Sequence, residues 1–204
     1  MHLNVLSPQQ AELLPLIRRF RRSFYLVGGT AIALHIGHRR SIDFDLFTAA
    51  PLSKSRIRGV LREWPEPARV LHEDVDQLHV LLNHVKLTFF HYPYAVPHGM
   101  AADGFAHVPD LLALAAMKAF ALGRRAKWKD YVDLYFILTG HHSIDRVSAK
   151  ADELFGGDFS GKLFREQLCY FDDVDYTESV DYLGPPTPDV RIREGLIELS
   201  TRIV

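Results

Sequence analysis

A single cysteine, Cys169, stands in a chain of 204 residues, so no internal disulfide can form. The opening Met1-His2-Leu3-Asn4 lacks the basic flank and apolar run of a secretory signal, which predicts a cytoplasmic protein. Long hydrophobic runs are missing too. The longest, Leu111 to Leu122, is interrupted by Lys118 and falls short of the roughly 18 apolar residues that span a bilayer, so membrane insertion is not expected. Neither sign of charge dominates: 24 Lys and Arg face 25 Asp and Glu, and at a net charge of −1 only local clustering can point to a polyanionic partner. There is no internal repeat, heptad seam or low-complexity tract. The histidine pairs His35/His38 and His141/His142 lack a cysteine or third histidine at zinc-site spacing, so they read as structural or surface residues.

What remains is ordinary globular material, 48% hydrophobic and 24% charged, enough for one large domain or two small lobes. Its charge is unevenly spread. One basic cluster, Arg18, Arg19, Arg21 and Arg22, lies early; a second, Arg124, Arg125, Lys127 and Lys129, lies mid-chain; acids gather late at Asp172, Asp173, Asp175, Glu178 and Asp181.

Helical spacing of Leu13, Leu14, Leu16, Ile17 and Phe20 after Ser7-Pro8 predicts a first helix over 9–20, with a cap and a first-turn proline. Phe24 to Val27 reads as a short strand meeting Gly28-Gly29, followed by a helix from Thr30 that ends at Gly37. Residues 42–47 alternate Ile, Asp, Phe, Asp, Leu, Phe. That pattern puts Asp43 and Asp45 on one face of a strand and Ile42, Phe44 and Leu46 on the other. A helix over 53–64 and strands over 69–71, 77–82 and 85–91 complete a mixed sheet. The Pro- and Gly-rich segment 93–109 reads as loop and sets the expected boundary, 1–95 for the sheet lobe and 96–204 for a helical lobe. Helices are expected there over 110–122, 129–138, 144–155, 161–170 and 189–203.

Backbone N–H groups freed at a glycine turn and a helix N-terminus attract phosphate oxygens, so Gly28-Gly29-Thr30 is a candidate phosphate cradle; the alternative is a tight turn. Two carboxylates at Asp43 and Asp45 are hard oxygen ligands suited to Mg²⁺ and its bridge to substrate phosphates; the alternative is a solvated strand face. Arg39, Arg40 and Ser41, just upstream, suit phosphate binding, loop fixation or a plain surface loop. Lys118, flanked by apolar residues, costs desolvation unless it has a partner or snorkels. Asp130 and Asp133, three apart, share a helix face from which they can orient Lys118 or Arg125, or Asp130 can cap its helix. Tyr92, Tyr94 and Phe105 suit base stacking or loop packing.

The order strand, Gly-Gly, helix, strand with Asp-x-Asp resembles the DNA polymerase β-like nucleotidyltransferase superfamily. More narrowly, the block from Leu26 to Phe47, LVGGTAIALHIGHRRSIDFDLF, resembles the opening of the AbiEii toxin-type nucleotidyltransferase family, and Lys118 to Tyr135, KAFALGRRAKWKDYVDLY, is similar to its helical-lobe motif. The resemblance implies an α/β (α+β) fold, a mixed-sheet nucleotidyltransferase lobe followed by a helical lobe, with the nucleotide between them. It implies transfer of a nucleoside monophosphate from an NTP to an acceptor hydroxyl with Mg²⁺ or Mn²⁺, on tRNA in some toxin members, and a cognate antitoxin as partner. Asp43 and Asp45 would then hold metal; Asp43, Asp45, Lys118, Asp130 and Asp133 would be catalytic; Gly28, Gly29, Thr30, Arg40, Ser41 and Arg125 would bind nucleotide. One departure stands out. Superfamily enzymes often carry a third carboxylate on a later strand, where this chain offers Thr88. Glu73, Asp74 or Asp76 could replace it as base, the Asp pair could suffice, or the fold could be a catalytically inactive module binding nucleotide or a partner protein.

Overall fold

The computed structural model describes residues 1–202 and forms two compact units, Met1–Asp110 and Leu111–Val204. In the first, a 3-10 turn leads into α1 (Pro8–Phe20), started by a capping box in which Ser7 Oγ accepts the Gln10 amide and Gln10 Oε1 accepts the Ser7 amide. Leu13, Leu16, Ile17 and Phe20 recur on its inner face and are buried, each adding about 1.5–3 kcal/mol over an exposed position. The rings of Phe20 and Phe24 meet Phe89 edge-on at 4.9 and 5.4 Å and tie the helix to the sheet.

The sheet has seven strands: β1 (Tyr25–Val27), β2 (Phe44–Thr48), β3 (Arg69–Glu73), β4 (Gln77–Leu82), β5 (Val85–His91), β6 (Met100–Ala102) and β7 (Ala106–Val108), in the order β3-β4-β5-β2-β1-β7-β6. It is mixed, as expected: β2 runs parallel to β5, and β1 to β7, while the other pairings are antiparallel. α2 (Gly28–Ile36) joins β1 to β2, and α3 (Lys54–Leu61) follows β2.

The segment expected to be loop contains the β6–β7 hairpin, turned at Asp103 and Gly104, both with positive φ, and β7 pairs onto β1. The compact units therefore divide after Asp110, later than the boundary expected at 95/96. A second correction concerns β2. It begins at Phe44, and Ile42, expected on the buried face with Phe44 and Leu46, is 59% exposed in the segment before it.

The second unit is helical: α4 (Leu111–Leu122), α5 (Trp128–Gly140), α6 (Ile144–Phe155), α7 (Gly161–Leu168) and α8 (Asp189–Thr201). The expected end of the last helix, Ile203, lies outside the described residues. Between α7 and α8 the acidic segment folds back on the start of α5. The Asp175 amide donates to Ala126 O at 2.7 Å, the Trp128 amide donates to Asp175 O at 3.0 Å, and Glu178 pairs with Lys127 at 2.6 Å and Lys129 at 3.1 Å. Lys127, with Lys129 beside it, holds the Glu178 carboxyl down at about 2 against the opposing cost of burial. Arg124 lies 3.6 Å over the Phe120 ring and Arg125 pairs with Asp130, so the mid-chain basic cluster is occupied within its own unit. Among the described residues no helix is long and apolar enough to cross a membrane.

Candidate active site

β1 delivers the chain to Gly28, the first residue of α2, with φ +72°. Val27 precedes the helix in an extended conformation and has no side chain able to cap it, so no side-chain cap covers the first-turn amides. Such amides favour an anion. Glycine is required at 28 for two reasons. Its φ is left-handed, and a Cβ there would stand 2.2 Å from Asp45 Oδ2. At Gly29 a Cβ would meet the Arg39 guanidinium at 2.7 Å and Ser41 Oγ at 3.0 Å. The surface-loop reading of this stretch therefore fails for Arg39, which is 2% exposed and donates to Arg40 O at 2.9 Å. Arg40, half-buried, donates to Asn4 O at 3.3 Å. Arg39 packs over the cradle, a placement the run of two arginines in sequence could not assign.

Asp43 precedes β2 and Asp45 lies within it; both are half-buried. The Thr30 hydroxyl, buried in α2, donates to Asp43 O, and Gln10 Nε2 donates to the same carbonyl at 3.4 Å. Thr30 thus ties the phosphate-turn helix to the carboxylate strand, and its remaining means of binding phosphate is its backbone amide.

Across the sheet, Val27, Asp45, Thr88, His79 and His72 face one another in register on β1, β2, β5, β4 and β3. Cross-strand partners share a face. Thr88 therefore stands directly beside Asp45, and its Oγ1 is buried without a hydrogen-bond partner. The acids considered as replacements have partners near the β3–β4 turn: Glu73 pairs with Arg58 and Lys54, Asp74 contacts the His72 ring at 3.1 Å, and Asp76 contacts the His91 ring at 2.8 Å. Next to Thr88 comes His79 instead, which sequence reading passed over although the alternation of β4 puts it on that face. Burial first, then Lys86 and His72, hold its imidazole below the ordinary value, with Asp45 and Asp74 pulling the other way.

Among the described residues no group of three or more His, Cys, Asp and Glu could hold a metal. The chain's contribution is then the Asp45 carboxylate beside a side-chain-free glycine, with Asp43 two residues before it and one unpartnered buried hydroxyl adjoining. That donor set fits Mg²⁺, which keeps waters and takes one or two carboxylates together with substrate phosphates.

In the second unit α4 brings Lys118 against α5. Its Nζ lies 2.6 Å from Asp130 Oδ1 and 3.1 Å from Asp133 Oδ2, with all three side chains buried. Asp130 Oδ2 is 3.3 Å from Arg125 Nε, an ion pair outside hydrogen-bond geometry. Lys118 does not snorkel, and Asp130 does not cap α5, whose N-cap is Lys127 with no side-chain cap. Tyr92 and Phe105 are buried, Tyr92 against Phe47 at 5.1 Å and Tyr94 at 5.2 Å, which is the loop-packing arrangement.

Gly28→Ala tests the cradle. The left-handed backbone alone costs about 1–2 kcal/mol, and the new Cβ must displace the Asp45 carboxylate. Transfer activity is expected to fall at least as far as stability, and Gly59→Ala, with open space around its Cβ position, serves as control. An active Gly28→Ala protein with an unchanged melting temperature would show that the close approach is incidental.

The family model for "Nucleotidyl transferase AbiEii toxin, Type IV TA system" matches residues 16–104, the stretch that carries both the glycine turn and the carboxylate strand. An uncharacterized protein of Aquifex aeolicus (strain VF5) is 37% identical over 160 residues, covering 74% of this chain and 75% of its own length. Among solved structures, MenT4, a nucleotidyltransferase toxin from Mycobacterium tuberculosis H37Rv, is similar with a TM-score of 0.64 at 14% identity, over 95% of this chain and 82% of that one. JHP933 from Helicobacter pylori is similar at a TM-score of 0.53 and 13% identity, over 96% of this chain and 90% of that one. At such identities the structures speak for the fold, whereas the matched motif region and the relative that spans three quarters of its own length place this chain in the AbiEii family of nucleotidyltransferase toxins.

Proposed function

We propose that this nucleotidyltransferase moves a nucleoside monophosphate from an NTP to a hydroxyl of an RNA acceptor, of which tRNA is the leading candidate, in a metal-dependent reaction in the cytoplasm, with a cognate antitoxin restraining it. The observation that carries this reading is the fit of Gly28 against Asp45, which joins the phosphate cradle to the Asp45 carboxylate with no room for a side chain between them. The amides of Gly28, Gly29 and Thr30 hold phosphate oxygens. Asp43 and Asp45 would hold Mg²⁺ or Mn²⁺, and Thr30 keeps Asp43 in place through its carbonyl. A metal bound there would supply acidification of the acceptor hydroxyl and neutralisation of charge on the pyrophosphate leaving group. The hydroxyl oxygen forms a bond to the α-phosphorus as the bond to pyrophosphate breaks, and the hydroxyl proton passes to solvent water. Ser41 and Arg40 shape the approach to the cradle. In the helical unit, Lys118 is the cation assigned to the triphosphate by the family's second motif, with Asp130 and Asp133 fixing its ammonium and Arg125 supporting Asp130.

The test is incubation with each α-³²P-labelled NTP, Mg²⁺ and total tRNA. Label is expected in RNA with a preferred NTP and is expected to vanish when EDTA removes the metal. Label in protein would redirect the acceptor to a polypeptide; no label anywhere would sink the proposal.

A further inference from the structure

The two basic clusters, alike in sequence, have different fates. The mid-chain cluster is occupied by Glu178, Asp130 and Phe120. The early one lines a cavity of about 560 Å³ in the first unit, to which Arg18, Arg19, Arg21, Arg22 and Arg56 all contribute and no carboxylate does. Arg19 pairs with Glu63 and Arg21 donates to Gly104 O at 2.9 Å. Arg18, Arg22 and Arg56 are exposed and make no ion pair or side-chain hydrogen bond among the described residues. The dipole of α1 accounts for a cation or two at its C-terminal end. It does not account for Arg56, which stands in the first turn of α3, where the dipole disfavours a cation and no acidic residue compensates. Three unneutralised guanidiniums crowded around one cavity repel one another, and an anionic occupant relieves that repulsion.

We propose that this cavity docks the phosphodiester backbone of the acceptor RNA, an inference that rests on the RNA-acceptor reading above. Guanidinium forks match phosphate oxygens in pairs, and the lining cations are all arginine. The position suits an acceptor tract. Phe24 and Thr48 line the cavity at one end of the antiparallel pair β1–β2, while Val27 and Asp45 meet at the other. Asp45 and Thr48 are three residues apart on β2, about 10 Å at the usual strand rise, and point to opposite faces of the sheet, so an RNA that reaches both passes round the end of the β1–β2 pair. Phosphates bound there lie beyond the reacting hydroxyl, hold the RNA in register and take no part in the chemistry.

The experiment measures binding of a fluorescein-labelled tRNA transcript by anisotropy across a KCl series without NTP. The proteins are wild type, Asp45→Asn, the cavity triple variant Arg18→Ala/Arg22→Ala/Arg56→Ala, and a charge-matched triple variant at exposed positions outside the cavity, Arg62→Ala/Arg146→Ala/Arg191→Ala. Wild type, Asp45→Asn and the control triple are expected to bind alike. The cavity triple is expected to lose at least about tenfold in affinity, with a log–log salt slope shallower by about 3, one per phosphate contact removed. Equal binding by the two triple variants, or no binding by wild type, would overturn the docking site. Docking and chemistry fail separately: binding through the cavity with no label transferred to RNA sinks the acceptor reading, whereas label in RNA with undiminished binding by the cavity variant sinks the docking site alone.

Discussion

Asp45→Asn is expected to lower nucleotide transfer on the order of 10³-fold, the several kcal/mol of charge stabilisation that a carboxylate-held metal supplies at about 1.4 kcal/mol per decade. The fold is expected to survive. Asp45 is half-buried and its side chain makes no hydrogen bond among the described residues, so an isosteric amide removes charge without removing a structural partner. Amide nitrogen is a donor where a cation needs an acceptor, so raising Mg²⁺ recovers little. The measurement is initial rate of label transfer against Mg²⁺ concentration, paired with thermal denaturation. Transfer within threefold of wild type at equal metal would remove Asp45 from the site and favour the inactive, partner-binding reading that Thr88 suggests.

Lys118→Met is expected to act mainly on stability. It leaves Asp130 and Asp133 buried, 2.6 and 3.1 Å from a cation that is gone, and breaking a buried ion pair on one side costs about 3–5 kcal/mol. For a chain of this size that lowers the melting temperature by roughly 10 °C. Neutralising the partners as well, with Asp130→Asn and Asp133→Asn, is expected to restore most of the loss, because no uncompensated charge stays buried. Transfer is expected to stay lost in the restored protein, which separates the role of the Lys118, Asp130 and Asp133 triad toward nucleotide from its role in packing. A single Lys118→Met variant that melts within about 2 °C of wild type would contradict the buried triad, and a restored variant that transfers normally would make Lys118 purely structural.

Local chemistry explains what was legible. The cap at Ser7, the alternation of β4, the apolar run of β5 and the amphipathic run of α6 each depend on neighbours within a few residues, and their bounds follow closely from the sequence. Gly28-Gly29 before a helix and Asp-x-Asp before a hydrophobic strand were legible for the same reason. The β6–β7 hairpin was not, since its strands are three residues long, sit among prolines and glycines and join the sheet only through β7, whose partner β1 lies some eighty residues upstream. Ile42 looked buried by periodicity, but the strand that would have imposed that period starts two residues later.

The sequence by itself determined most of the elements, the family and the residue types available for chemistry, because capping, periodicity and motif spacing are short-range. Tertiary structure decided their partners. Helix periodicity put Asp130 and Asp133 on one face, but only the packing of α4 on α5 gave both of them to Lys118. Strand alternation allowed His79 to face the row containing Asp45, but only the sheet register put Thr88 between them. Two arginine-rich clusters read alike along the chain; one meets Glu178 from a distant segment and is neutralised, and the other meets its own kind around an open cavity. Charge is a property of a residue, whereas its compensation depends on distance in space, and the chain order does not contain that distance.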